Sequence, residues 1–161
     1  MGRRPGGFTL IELLVVVTIG TVLAGIAVLS LGRWGSADEP REQLARLAGL
    51  LELQCEQALF QARSRGIRVL DSGFDFWQAG SAGWAPLPGE GVSRPRAWTA
   101  GAEAVLFIEG RRQPLTDTDD VPQIVCQPLG ELTPFELELR VADRAARLAV
   151  SAGGRIDLPA R

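Results

Sequence analysis

The chain has 161 residues, with Lys+Arg 17 against Asp+Glu 19 and a net charge of −2, so no overall basic field draws it to nucleic acid. All of its positive charge is arginine; lysine, histidine and tyrosine do not occur. The commonest general acid–base and the commonest metal ligand are therefore missing, which argues against an enzyme and against a zinc-type site.

The chain opens on a short basic leader, residues 1–7, that carries Arg3 and Arg4 and ends in Gly6-Gly7. Residues 8–31 are apolar apart from small and hydroxyl residues and one acid, Glu12. A secretory signal has a shorter apolar core, about 7–15 residues, with its cleavage site behind it. Here the run is longer, close to the ~20 residues that cross a bilayer, and it reads as a retained membrane helix. Arg3 and Arg4 place its N-terminus in the cytoplasm and the rest of the chain outside. A carboxylate inside a bilayer costs at least ~2.5 kcal/mol, which makes Glu12 a candidate functional residue. Gly20, Ala24, Gly25 and Ala27 keep parts of the helix slim; close helix packing and ordinary membrane-helix composition explain them equally well.

Gly32-Arg33-Trp34-Gly35-Ser36 has the character of a membrane interface. Asp38 offers an N-cap and Pro40 a first-turn proline. Leu44, Leu47, Ala48, Leu51, Cys55, Ala58, Leu59 and Ala62 then keep 3–4 spacing, which predicts an amphipathic helix over residues 39–64 ending near Gly66. From residue 67 the period changes to that of strands. Ile67-Arg68-Val69-Leu70 and Phe74-Asp75-Phe76-Trp77 flank an Asp71-Ser72-Gly73 turn, and Trp84-Ala85-Pro86-Leu87 follows the turn at Gly80–Gly83. Residues 88–95 read as loop. Further strands are expected at residues 104–108, 123–126 and 135–141, and a last hairpin pairs residues 145–150 with 155–158 around Gly153-Gly154. After the membrane helix about 130 residues remain, enough for a real core. The fold class is α+β: an amphipathic helix on an antiparallel sandwich or paired sheets.

Gly7-Phe8-Thr9-Leu10-Ile11-Glu12 resembles the processing site of type IV pilins and of the pseudopilins of type II secretion. The resemblance implies cleavage after Gly7 by a prepilin peptidase, N-methylation of Phe8 and a role for Glu12 in assembly. It divides the chain into a leader (1–7), a transmembrane and assembly helix (8–31), a periplasmic amphipathic helix (32–66) and a β-rich globular domain (67–161). It also implies a bacterial inner-membrane protein with a periplasmic C-terminal domain, whose partners are other major and minor pseudopilins, with secreted cargo as a further candidate. Glu12, poorly solvated in lipid, would be neutralised by the free amine of Phe8 on a neighbouring copy, which sets the stagger between subunits. Pro128-Leu129-Gly130-Glu131-Leu132-Thr133-Pro134-Phe135, with Pro122-Gln123-Ile124 before it and Gly153-Gly154-Arg155-Ile156 after it, resembles the H-type minor pseudopilins. In that family such subunits stand near the tip of a short periplasmic filament that pushes folded proteins through the outer membrane. The alternative is a minor pilin of a type IV pilus or competence system that binds DNA, a role that wants a basic cluster; the ending Arg155–Arg161 is only weakly basic.

The remaining candidates are weighed on their residues. Cys55 and Cys126 would lie in an oxidising compartment and either form a bridge between helix and sheet or pack as two buried thiols. No cofactor and no metal are expected. Asp117, Asp119 and Asp120 lack the glycine bend and downstream glutamate of a calcium loop and read as solvated. Trp77, Trp84 and Trp98 are more often core than contact surface.

Overall fold

The computed structural model describes residues 10–31 (backbone alone for 23–31), 39–115 and 120–159. The cleavage pair Gly7 and Phe8, the connector with Asp38, and Asp117 and Asp119 lie outside the described residues. Met1–Ala37 and Asp38–Arg161 are two compact units.

In the first unit, α1 runs over Leu10–Leu31 with Glu12 in its first turn. Its described side chains are exposed and mostly aliphatic, Leu10, Ile11, Leu14 and Val16 among them. Thr18 Oγ1 donates to the Leu14 carbonyl at 2.8 Å and Thr21 Oγ1 to the Thr18 carbonyl at 2.9 Å. Both hydroxyls are thus satisfied within the helix, as an apolar environment requires.

In the second unit, α2 runs over Pro40–Gln61, with Pro40 in the first turn and Glu39 as the N-cap residue. The helix is shorter at its C-terminus than its periodicity suggests. It ends at Ala62, which takes the left-handed conformation at φ 51°, not near Gly66. Gly66 is spent elsewhere: a Cβ there would lie 2.2 Å from Pro122 Cγ, so only glycine lets the two segments touch. The buried stripe stops at Ala58; Leu59 and Ala62, assigned to it by spacing, are exposed because the helix ends there.

The strands form two antiparallel sheets. β1 (Arg65–Leu70), β2 (Gly73–Gly80) and β3 (Gly83–Pro86) form a meander, and β4 (Arg96–Ala97) adds to β2 after a 3₁₀ turn at Gly91–Ser93. β5 (Ala102–Ile108) and β6 (Arg111–Gln113) start the second sheet, while β7 (Ile124–Cys126) returns to the first beside β1. β8 (Phe135–Val141), β9 (Arg144–Val150) and β10 (Ile156–Asp157) complete the second sheet in the order β10-β9-β8-β5-β6. β4 and β6 have too few residues for a period-2 signal, so only pairing reveals them.

β8 shows how the pattern places the core: Phe135, Leu137 and Leu139 are buried while Glu136, Glu138 and Arg140 point away. Leu44, Leu47 and Leu51 of α2 meet Ile67, Phe76 and Ile124 of the first sheet and Leu106, Leu137 and Leu148 of the second in one cluster. Trp98 belongs to this core, its ring 5.0 Å from that of Phe74 and its Nε1 donating to the Leu70 carbonyl. Trp77 is buried outside that cluster, under the Arg68 guanidinium 4.6 Å from its ring; Trp84 is half-buried.

Candidate assembly site

Two regions hold the described residues singled out by the sequence, Glu12 in the first and Cys55 with Cys126 in the second. The first is the start of α1. Aliphatic residues on every side of the helix leave it no polar face to turn to water, so it requires lipid or other helices around it. Glu12 stands one turn into that surface. Gly20 meets nothing within 4 Å of where its Cβ would be, an open notch in the helix surface. Among the described residues no helix is long and apolar enough to cross a membrane; the described side chains of α1 end at Val22 while its backbone stays helical to Leu31.

The second region is the junction of α2 with β7 and the turn behind it. Cys55 of α2 and Cys126 of β7 form a disulfide, with Cα atoms 5.1 Å apart. The bridge ties the helix to a strand of only three residues. Just upstream, the Gln123 side chain continues the ladder where β7 has not yet begun: Oε1 accepts from Val69 N at 2.9 Å and Nε2 donates to the Val69 carbonyl at 3.1 Å. Just downstream, Gln127 N donates to the Glu131 carbonyl and Gly130, at φ 90°, closes the turn back onto Gln127. Leu132 bridges Cys126, and Thr133 N donates to the Val125 carbonyl before the chain crosses into β8. The Pro122–Phe135 stretch is therefore the crossover from one sheet to the other, locked at both ends.

Two polar groups escaped sequence reasoning, one at this junction and one on the far face of the first sheet. Arg65 is buried, and desolvation lowers its pKa from the usual arginine value. Its Nη1 donates to Gln54 Oε1 at 2.7 Å and its Nη2 to Gln61 Oε1 at 3.0 Å, both on α2. The signal was present: Gln43 and Gln54 fall on the apolar stripe at helical spacing, where only a polar partner would justify them. The second group is Asp75, which takes Arg68 Nη2 at 2.6 Å and Trp77 Nε1 at 2.7 Å. The acidic loop contributes to the same arginine: Asp120, well exposed, lies 3.9 Å from Arg68 Nη1.

The model of the prokaryotic N-terminal methylation motif matches residues 2–28. Over 148 residues the chain is 32% identical to type II secretion system protein H of Pseudomonas aeruginosa, covering 85% of this chain and 84% of that protein. The chain belongs to the type II secretion system protein H family. The corresponding protein of Aeromonas hydrophila is 29% identical over 157 residues, covering 90% of this chain and 86% of its own length. Two solved structures share the fold: the minor pseudopilin EpsH of Vibrio cholerae, with TM-score 0.65 and 21% identity over 76% of this chain and 97% of that one, and the solution structure of GspH from Escherichia coli, with TM-score 0.60 and 22% identity over 78% and 94%. As an H-family chain this is a pilin-like α+β minor pseudopilin. A methylation motif on an apolar helix in such a chain points to an inner-membrane anchor.

Proposed function

We propose that the chain is a structural subunit, not an enzyme, near the tip of the periplasmic pseudopilus, where it helps export folded proteins across the outer membrane. It is made with the leader on the cytoplasmic side and α1 across the inner membrane, and the β-rich unit stands in the periplasm. A prepilin peptidase cuts between Gly7 and Phe8, and Phe8 becomes the N-methylated terminus. Glu12 then carries assembly: its carboxylate, costly to hold in lipid, is neutralised by the terminal amine of a neighbouring pseudopilin, and that pairing fixes the stagger of the helices.

One observation carries this reading, the carboxylate of Glu12 in the first turn of an apolar helix inside the methylation motif. The oxidising periplasm suits the Cys55–Cys126 bridge. Mass spectrometry of the protein from native membranes tests it, with a chain beginning at methylated Phe8 as the expected result. Glu12→Ala should insert and be processed yet be missing from the filament, and Gly7→Ala should keep its leader. A native chain still carrying residues 1–7, or normal filament content with Glu12→Ala, would refute the mechanism.

A further inference from the structure

The two ends of the Cys55–Cys126 bridge are covered unequally. Cys126 is 2% exposed and closed in along both edges of its strand. Arg65 of β1 pairs with it on one side, and Leu132 bridges it on the other. The Thr133 amide, donating to the Val125 carbonyl, holds that second edge shut. Cys55 is half-buried, at the border of the α2 stripe. Its neighbours one turn away on the helix divide accordingly. Leu51 and Ala58 are buried, whereas Glu52 and Leu59 are exposed. Beside Leu59 stands the turn of residues 128–130: a Cβ on Gly130 would lie 3.9 Å from Leu59 Cδ2, and Leu129 is 90% exposed. One cysteine of the bridge therefore borders open surface, and the other lies inside the fold.

Thiol–disulfide exchange begins when a thiolate attacks one sulfur and the other departs as a thiolate, and access decides which sulfur is attacked. Attack at Cys126 requires β7 to part from β1 or from Leu132, a local opening that gives up hydrogen bonds and burial. Attack at Cys55 requires no strand to move. The chain has two cysteines, so once Cys55 is engaged by an outside thiol, Cys126 is the one other thiol of the chain that can displace it.

We propose that Cys55 is the sulfur through which a thiol–disulfide oxidoreductase opens and closes this bridge in the folded unit, with Cys126 as the buried partner thiol. In the opening direction the oxidoreductase's thiolate attacks Cys55 Sγ. A new S–S bond forms there, and the electron pair of the old bond leaves on Cys126 Sγ, which takes up a proton. The oxidoreductase's second thiol then attacks its own sulfur in the mixed disulfide and releases Cys55. The bridge is reduced by two electrons, and the oxidoreductase's dithiol becomes a disulfide. In the closing direction the Cys55 thiolate attacks the oxidoreductase's disulfide. Cys126 then loses its proton, attacks Cys55 Sγ and expels the oxidoreductase as a dithiol. The Cα atoms, 5.1 Å apart, keep the second thiol beside the first throughout. The choice of sulfur rests on the folded unit alone, and the class of partner rests on the periplasmic reading proposed above.

The test offers the oxidised full-length chain, in detergent, either reduced glutathione or a thioredoxin whose resolving cysteine is replaced by serine. The reaction is stopped in acid and free thiols are blocked with N-ethylmaleimide. Cleavage after arginine leaves the two cysteines on separate peptides, residues 47–63 and 113–140, and mass spectrometry measures the mixed disulfide on each. Both reagents should mark 47–63 over 113–140 by about tenfold or more, because attack at the second waits for local opening. In urea, where both cysteines are open, the preference should disappear. Equal marking of the two peptides in the folded chain would overturn the proposal. A preference that survives in urea would overturn it too, by tracing the selectivity to local sequence. So would a folded chain that neither reagent marks although both mark it in urea. Marking by glutathione but not by the thioredoxin would exclude a protein partner at this sulfur. A native chain that still carries residues 1–7 would refute the subunit reading and leave the choice of sulfur unaffected.

Discussion

Reducing the Cys55–Cys126 bridge isolates the contribution of one covalent link to the folded unit. The cysteines are 71 residues apart in sequence, so the closed loop takes in the last two turns of α2, the first meander, and β4 to β7. In the loop-entropy model a closure of that length removes denatured-state freedom equivalent to roughly 4 kcal/mol at 25 °C. A domain of this size typically has about 5–15 kcal/mol in total, so the link carries a large fraction. Spread over the unfolding entropy expected for somewhat more than a hundred residues, the loss corresponds to a midpoint about 15 °C lower. Reduction is a cleaner perturbation than Cys55→Ala with Cys126→Ala, because both sulfur atoms stay in place and Cys126 remains buried against β1. Thermal and urea unfolding of the full-length chain in detergent, with and without reductant, measure the effect. Because the model acts through the unfolded state, the urea dependence should also steepen on reduction as the released chain exposes more surface. Two free thiols per chain in protein isolated from the periplasmic face would refute the bridge. A midpoint shift below about 3 °C would refute the entropic account of it.

Gly66→Ala forces a Cβ to within 2.5 Å of both Cβ and Cγ of Pro122; the strands must separate, at a cost of about 1–3 kcal/mol, read as a lower urea midpoint. Asp75→Ala withdraws the carboxylate from the largely buried Arg68 and from Trp77 Nε1, and should cost about 3 kcal/mol with a shift in tryptophan emission. Leu51→Ala, at the centre of the cluster where α2 meets both sheets, should cost about 2–5 kcal/mol in the same denaturation assay while leaving leader processing unchanged.

Much of the architecture is written in short-range pattern. The alternation of Phe135-Glu136-Leu137-Glu138-Leu139 yields β8, and the 3–4 spacing of Leu44, Leu47, Ala48 and Leu51 yields the buried face of α2, because each period is set by backbone geometry within a few residues. The N-terminal motif is equally local: Glu12 is exceptional only against the apolar residues beside it in the chain.

Tertiary structure decided what depends on distant partners. The α2 stop falls at Ala62, which takes the left-handed cap, and Gly66 lies instead within β1, where its missing Cβ makes room for Pro122 far along the chain. Arg65 is buried only because Gln54 and Gln61 reach it from the helix, and Gln123 builds a piece of ladder with Val69, 54 residues away. The disulfide likewise joins positions that spacing left open between a bridge and two thiols. Such contacts combine packing and hydrogen bonding across elements, and no local period encodes which pair will meet. The sequence by itself therefore determined the elements and the character of the membrane end, while only the folded unit decided which polar groups are matched.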